Sequence, residues 1–315
     1  MKVVLTDQVF PTITTEQQIL GEIGAELTVL DDSSPQSIRD KAEDADALLN
    51  TYAPIDRETL ERLSKLKIVA RYGIGVDNVD LEAARERDVV VTNVPDYCVD
   101  EVADHTLSLL LAVMRKVVIG HTHVQGGGWG IDPLRPVHRL QGKTLGLIGF
   151  GNIARGVAAR ALPFGLRVLA FDPYVSGDLL EASRAQRAES LEELLETSDA
   201  VSVHVPLLPE TRNLIDASAI RKMPSTAVLL NTSRGPVVDV DAVVTALREG
   251  RLAGAGLDVF PTEPPDFAAL AGAPNLVVTP HAAFYSDEAI TESQTKAANN
   301  IVAVLQGKEP KYRVN

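Results

Sequence analysis

Short apolar runs alternate with helix-like stretches along the whole chain, and this alternation constrains the fold more than any other feature. The first runs lie at 2–6, 26–30, 46–49, 67–70 and 89–91. Amphipathic stretches such as TTEQQILGEIG and RETLERLSKL separate them. Because strands that are joined by helices pair in parallel, the pattern predicts an α/β fold with a doubly wound parallel sheet.

A second series of strands is predicted after a long helix. The helix is expected over roughly 100–118, and the glycine- and proline-rich stretch HVQGGGWGIDPLRP is interpreted as an irregular connection. A last helix over 287–305, with Ser286 as its N-cap, carries an apolar face that needs a cover. With 315 residues, two domains are expected. The second series of strands is predicted at 144–149, 167–171, 200–204, 226–231, 253–257 and 276–279.

Composition limits the classes of partner. A net charge of -13 argues against a nucleic-acid backbone or an anionic membrane as the main partner. With Cys98 as the only cysteine, neither a disulfide framework nor a thiolate metal site is expected. The run LSLLLAVM is too short to span a membrane, and MKVVLTD is interpreted as a strand without signal-peptide features. A soluble cytoplasmic protein is therefore expected.

The segment KTLGLIGFGNIARGVAARA predicts a dinucleotide site. Gly149 permits a tight turn after an apolar strand, and Gly151 lets the backbone approach a pyrophosphate. Ala154 fills the third small position, and the unpaired N–H groups of the helix start face the anion. The next strand ends in Asp172, where a carboxylate accepts hydrogen bonds from a ribose diol and repels a 2′-phosphate. NAD is therefore predicted over NADP, and the alternative is a nucleotide-free loop with Asp172 as a turn former.

Charged side chains follow three later strands. Arg234 follows the strand of TAVLLNTSRGPVVD, Glu263 follows that of LAGAGLDVFPTEPP, and His281 follows NLVVTP. The carboxyl ends of parallel strands border the ligand crevice, so we expect these side chains at one rim. Taken singly, each also has a structural explanation: a surface arginine, a loop carboxylate and a capped histidine.

The reduction of a 2-oxo acid gives each of these groups a role. The reaction needs a hydride from the nicotinamide and a proton, and histidine carries protons near neutral pH. A neighbouring carboxylate favours the imidazolium. Arginine can hold a substrate carboxylate and stabilise charge on the carbonyl oxygen. No metal is needed, and the only close histidine pair, His121 and His123, is interpreted as solvated.

Six segments resemble the D-2-hydroxyacid dehydrogenase family over nearly the whole chain: RYGIGVDNVD, VADHTLSLLLA, LGLIGFGNIARG, NTSRGPVVD, AGLDVFPTEPP and TPHAAFYSDEA. Within the family, FDPYV and PHAAFYS are similar to the subgroup around the C-terminal binding proteins. The resemblance implies a Rossmann NAD-binding domain, 99–285, inserted into a flavodoxin-like substrate domain, 1–98 and 286–315. It also implies that the last helix covers the first sheet, and that homodimers form through the long helix and the segment with Trp129.

The resemblance also implies roles for individual residues. His281 is the general acid and base, Glu263 is its carboxylate partner, and Arg234 orients the substrate. Backbone N–H groups around Ile74 and Gly75 bind the substrate carboxylate. Asp258 is expected at the nicotinamide amide. The complete set of implied cofactor contacts is Thr106, Gly149, Gly151, Asn152, Ile153, Asp172, Val205, Thr211, Thr232, Asp258 and His281.

The substrate itself is less constrained. The stretch LLNTYAPI occupies the place where phosphoglycerate dehydrogenases carry basic residues, yet it contains none. Tyr52, Tyr72, Phe284 and Tyr285 are instead predicted to shape a pocket for a small or moderately apolar 2-oxo acid. Phe284 stands where the subgroup often has tryptophan. Two alternatives remain: a phosphoglycerate dehydrogenase in which Arg71 or a partner subunit supplies the cation, and an NAD(H)-sensing, corepressor-like scaffold. The intact trio of Arg234, Glu263 and His281 favours the enzyme.

Overall fold

The computed structural model describes all 315 residues, which form two compact units. The first unit comprises Met1–Cys98 and Ser286–Asn315, and the second comprises Val99–Tyr285. The chain therefore leaves the first unit once and returns to it for the last helix.

The first unit contains one five-stranded sheet in which every strand pair is parallel. The order of its strands, β2-β1-β3-β4-β5, is the flavodoxin-like order. Its strands are β1 (Lys2–Leu5), β2 (Glu26–Val29), β3 (Ala47–Asn50), β4 (Ile68–Arg71) and β5 (Val90–Thr92). Its helices are α1 (Thr14–Gly21), α2 (Pro35–Lys41), α3 (Arg57–Arg62), α4 (Leu81–Glu86) and the last helix of the chain, α13 (Asp287–Leu305).

Helix α13 has the predicted extent, and its apolar face is covered within the first unit. Ser286 caps the helix by accepting a hydrogen bond from the Ala289 N–H over 2.9 Å. Ile290, Ala297 and Ile301 are buried where α13 packs against α1 and β4. The apolar face predicted from the sequence therefore closes one side of the first sheet.

The second unit contains a seven-stranded sheet, again with only parallel pairs. Its order is β12-β11-β10-β9-β6-β7-β8. Its strands are β6 (Thr144–Ile148), β7 (Arg167–Phe171), β8 (Ala185–Arg187), β9 (Ala200–Val203), β10 (Val228–Asn231), β11 (Gly254–Leu257) and β12 (Leu276–Val278). Its helices are α5 (Val99–Met114), α6 (Val117–Gln125), α7 (Asn152–Ala161), α8 (Gly177–Ala182), α9 (Leu191–Thr197), α10 (Ala217–Lys222), α11 (Val240–Arg248) and α12 (Phe267–Leu270).

The chain order reverses at β6, which pairs with β7 on one side and with β9 on the other. This reversal is the topological switch point at which Rossmann folds bind dinucleotides. The predicted fold class, two parallel α/β sheets of which one is Rossmann-like, is confirmed.

Most helices start after a serine or an aspartate that accepts a hydrogen bond from a first-turn N–H, which stabilises a helix by about 1 kcal/mol. Five aspartates therefore serve as helix caps. The capping residues are Ser34, Asp56, Asp80, Ser176, Ser190, Asp216, Asp239, Asp266 and Ser286.

Two predictions for the second unit are wrong in detail, and one strand was missed. The long helix ends at Met114, because Lys116 adopts a left-handed backbone with φ +52°. Helix α6 then extends to Gln125, into a stretch that was predicted to be irregular. Strand β8 was not predicted, since only Ala185 of its three residues is buried and no apolar run marks it.

Glycine in β11 lets α5 approach the sheet closely. A Cβ added to Gly256 would lie 3.0 Å from the Leu109 Cβ of α5 and 2.9 Å from a methyl group of Leu230. The α5 residues Leu109 and Leu110 are accordingly buried. The helix is thus fixed against β10 and β11, near their carboxyl ends.

No helix in the chain combines the length and the apolar character that a membrane crossing requires.

Candidate active site

The turn after β6 has the geometry that its glycines predict. Gly149 has φ +85°, and a Cβ there would lie only 2.9 Å from the carbonyl oxygen of His204. A Cβ at Gly151 would meet no heavy atom within 4 Å, so the backbone is open to an approaching group. Gly151 also starts α7 without any side-chain cap. Since first-turn N–H groups that lack a cap can bind a phosphate, this turn fits a dinucleotide.

Asp172 lies directly beside this turn. Its Oδ2 accepts the Phe150 N–H over 2.8 Å, and its Oδ1 accepts the Tyr174 N–H over 2.9 Å. Each carboxylate oxygen has two lone pairs, so both retain capacity for a ribose diol. Arg187 donates to the carbonyl oxygen of Asp172 over 3.3 Å, which holds the end of β7 in place.

Thr106 and Thr232 form a buried pair of side chains that are joined by a hydrogen bond. The Thr106 hydroxyl donates to the Val102 carbonyl over 2.7 Å, so it must accept the hydrogen of Thr232 Oγ1, which is 2.7 Å away. No part of Thr106 is exposed. In this arrangement Thr106 supports Thr232 from inside the core.

The other predicted cofactor residues lie in the loop after β9 and at the start of α7. The Thr211 hydroxyl donates to the Pro206 carbonyl and accepts the Leu208 N–H, which closes the loop after β9. Val205 begins this loop, and one of its methyl groups lies 3.0 Å from a Cβ added at Gly149. Asn152 and Ile153 are the first residues of α7.

His281 and Glu263 form a direct hydrogen bond. His281 Nδ1 lies 2.7 Å from Glu263 Oε2, and Glu263 Oε1 accepts the Phe260 N–H over 3.0 Å. Burial raises the pKa of the Glu263 carboxyl, but the hydrogen bonds from His281 and Phe260 and the charges of His281 and Arg234 outweigh it. The pKa of Glu263 is therefore held below its ordinary value. Both side chains remain partly exposed, so a solute can reach them.

Arg234 lies close enough to Glu263 for its charge to lower the pKa of that carboxyl. Its backbone is fixed by Asn231, whose side-chain amide donates to the Arg234 carbonyl over 3.0 Å. Arg234, Glu263 and His281 follow β10, β11 and β12, which are adjacent in the sheet. The structure thus brings the three residues of the sequence pattern to one edge of the second unit.

Asp258 is fully buried behind this trio. Its carboxylate accepts the N–H groups of Ala282 and Ala283 and the hydroxyl of Thr279. The resemblance predicts that Asp258 contacts the nicotinamide. In the structure, the hydrogen bonds of the Asp258 carboxylate hold the segment that carries His281. Sequence reasoning missed this anchoring, because its partners are mainly backbone groups.

In the first unit, the predicted substrate loop is organised by a residue that sequence reasoning also missed. The carboxylate of Asp7, just after β1, accepts the backbone N–H groups of Thr51, Tyr52 and Ala53 over 3.0, 2.5 and 3.2 Å. The only sequence feature that could have indicated this role is a polar residue, Asp7, directly after an apolar strand. The Tyr52 side chain is exposed. Tyr72, by contrast, is only 1% exposed and donates its hydroxyl to the buried Glu16 over 2.6 Å, so the prediction that Tyr72 shapes an open pocket is wrong.

The loop after β4 contains Ile74 and Gly75. The Ile74 carbonyl accepts the side-chain amide of Asn93 over 2.7 Å. Arg71 lies beneath the loop: it is 8% exposed, and its Nε donates to Asn78 Oδ1 over 3.0 Å.

In the second unit, the Phe284 ring contacts that of His281 edge to face, with 6.2 Å between centroids.

Known proteins resemble this chain in sequence and in fold. Residues 107–283 match the family model described as D-isomer specific 2-hydroxyacid dehydrogenase, NAD binding domain. Glyoxylate reductase of Korarchaeum cryptofilum is 41% identical over 298 residues, which cover 92% of this chain and 90% of the relative. D-3-phosphoglycerate dehydrogenase of Methanocaldococcus jannaschii is 34% identical over the whole chain, which spans only 59% of that relative.

A crystal structure of the TT0316 protein from Thermus thermophilus superposes with a TM-score of 0.90 at 40% identity, with both chains fully covered. The similarity therefore extends over both units and is not confined to the nucleotide fold. The chain belongs to the D-isomer specific 2-hydroxyacid dehydrogenase family and is an NAD-dependent oxidoreductase.

Proposed function

We propose that this enzyme interconverts a small 2-oxo acid and its D-2-hydroxy acid, with His281 as the general acid and base. The observation that carries the proposal is the 2.7 Å hydrogen bond between His281 Nδ1 and Glu263 Oε2, within the field of Arg234. An imidazole, a carboxylate and a guanidinium are the groups that this reaction requires. They lie at the carboxyl edge of a sheet that has a dinucleotide-type glycine turn.

Each side chain then has a defined task. Bound NADH would supply the hydride. Because His281 Nδ1 binds Glu263, proton exchange with the substrate oxygen is assigned to Nε2. The Glu263 carboxylate stabilises the imidazolium that gives up this proton. Arg234 orients the substrate carboxylate and stabilises the charge that develops on the carbonyl oxygen.

Four further residues are proposed to determine how the substrate binds. The backbone N–H groups around Ile74 and Gly75 are assigned to the substrate carboxylate. Tyr52 and Phe284 are assigned to the side chain of the acid. Burial of Arg71 beneath its loop, together with the lack of basic residues in LLNTYAPI, supports an unphosphorylated substrate. Since several relatives are named glyoxylate reductases, we propose glyoxylate as a substrate.

The test is NADH oxidation with a panel of 2-oxo acids: glyoxylate, hydroxypyruvate, its phosphate, pyruvate, and branched and aromatic acids. We expect turnover, with a higher kcat/KM for glyoxylate or hydroxypyruvate than for the phosphorylated acid. Preference for the phosphorylated acid would replace the proposed substrate with that of a phosphoglycerate dehydrogenase. NADH binding without turnover of any acid would favour the NAD(H)-sensing scaffold.

Asp172→Ala is expected to weaken the preference for NAD over NADP. The carboxylate accepts ribose hydroxyls in NAD and repels the 2′-phosphate of NADP. Its loss therefore raises the Kd of NADH and lowers that of NADPH. Fluorescence titration with both cofactors measures the ratio of the two constants. Asp178→Ala, an exposed carboxylate on α8, is the matched control. An unchanged ratio in Asp172→Ala contradicts the assignment.

We also propose a cytoplasmic homodimer. Support for the dimer comes from α6 and the segment after it. Helix α6 has no buried residue, and Val117, Trp129 and Ile131 are 58, 90 and 61% exposed. Apolar surface of this kind is typical of a protein interface.

A further inference from the structure

His281 has a backbone conformation that residues with a side chain rarely adopt. Its φ is +53°, in the left-handed region. The Cβ then crowds the following carbonyl, so the conformation persists only where surrounding contacts impose it. Those contacts also determine where the imidazole points.

Asp258 supplies these contacts. Its carbonyl oxygen accepts the His281 N–H over 2.7 Å. Its carboxylate accepts the N–H groups of Ala282 and Ala283 over 2.9 and 3.0 Å. One buried residue therefore binds three consecutive N–H groups, beginning at His281.

The carboxylate of Asp258 is in turn connected to helix α5. Thr279 donates its hydroxyl hydrogen to Asp258 Oδ1 over 2.5 Å, and a hydroxyl has only one hydrogen to give. His105 Nε2 lies 2.9 Å from the same Thr279 oxygen, so the imidazole must be the donor in that bond. Nε2 of His105 therefore carries a hydrogen, and it lies 3.6 Å from Asp258 Oδ1.

We propose that His105 is a positioning residue for His281, acting through Thr279 and Asp258. This inference rests on the proposed function, because it concerns the same proton transfer. The N–H bond from His105 polarises the Thr279 hydroxyl and strengthens its bond to the buried carboxylate. His105 belongs to a helix packed firmly on the sheet and is 174 residues from Thr279 in sequence. It thus ties the segment that carries His281 to a rigid element.

Replacing His105 by glutamine or by asparagine distinguishes a hydrogen-bonding role from a role in packing alone. In His105→Gln, the amide nitrogen can take the place of Nε2 and keep the bond to Thr279. In His105→Asn, the amide nitrogen takes the place of Nδ1 and the bond is lost. Neither variant titrates, so they differ mainly in where the N–H lies.

The first readout is hydrogen exchange of the His281, Ala282 and Ala283 amides, which does not depend on activity. We expect exchange to be about two- to tenfold faster in His105→Asn, the effect of weakening one hydrogen bond, and unchanged in His105→Gln. Unchanged protection in His105→Asn, or equal loss in both variants, would overturn the proposal.

The second readout is kinetic. We expect kcat for the 2-oxo acid to fall about tenfold in His105→Asn, through misplacement of His281, and to recover in His105→Gln. In a Thr279→Val background, His105→Asn should have no further effect, because the link is already cut. Additive losses, or an unchanged kcat in His105→Asn, overturn the positioning role. A natural chain that turned over no 2-oxo acid would refute the proposed function instead, while the exchange readout would still test His105.

Discussion

Replacing His281 by alanine is expected to lower kcat for 2-oxo acid reduction by about 10²- to 10⁴-fold, while NADH still binds. The effect is large because a positioned acid contributes this much to a proton transfer, and Glu263 alone would be a poor proton donor. The Phe260 N–H and the charge of Arg234, which both lower the pKa of Glu263, remain in this variant and still favour the ionised carboxylate. Steady-state rates with NADH, together with NADH fluorescence titration, separate lost chemistry from lost binding.

Two further variants sharpen this result. His138→Ala, at an exposed histidine, should leave kcat unchanged. Glu263→Gln removes the negative charge that favours the imidazolium, so reduction should fall off at a lower pH than in the natural enzyme. Oxidation of the hydroxy acid, which needs the neutral ring, should extend to lower pH for the same reason. Full turnover in His281→Ala, or an unshifted pH profile in Glu263→Gln, contradicts the assigned pair.

The sequence was sufficient to predict the charged trio, because parallel strands place the residues that follow them at one edge. Arg234, Glu263 and His281 each follow an apolar run, and those runs form the adjacent strands β10, β11 and β12. The glycine turn was equally predictable. Gly149 has the positive φ that a tight turn requires.

The supporting contacts were not predictable in the same way. The bond from the His281 N–H to the Asp258 carbonyl joins backbone groups, which every residue has. The contact between His105 and Thr279 depends on how α5 packs on β11, where Gly256 permits a close approach. The left-handed conformation of Lys116, which ends the long helix early, has no marker in the residue type. These features depend on tertiary packing, so no local periodicity in the sequence indicates them.

Arg234→Ala is expected to lower kcat/KM for the 2-oxo acid by about 10²- to 10³-fold, the typical effect of removing one preorganised donor to a developing oxyanion. NADH affinity should change little, since the assigned role of Arg234 is toward the acid. Arg234→Lys keeps the charge but lacks the planar fork that holds a carboxylate in two places, so it should recover only part of the loss.

Steady-state kinetics across the same acid panel measures these effects, with Arg221→Ala on the exposed face of α10 as the control. Added guanidinium ion should partly restore turnover to Arg234→Ala but not to Arg234→Lys, where the ammonium occupies the site. If the Arg234→Ala enzyme had the natural kcat/KM, Arg234 would have no role in the reaction. The trio would then be reduced to the His281–Glu263 pair, and another group would have to bind the substrate carboxylate.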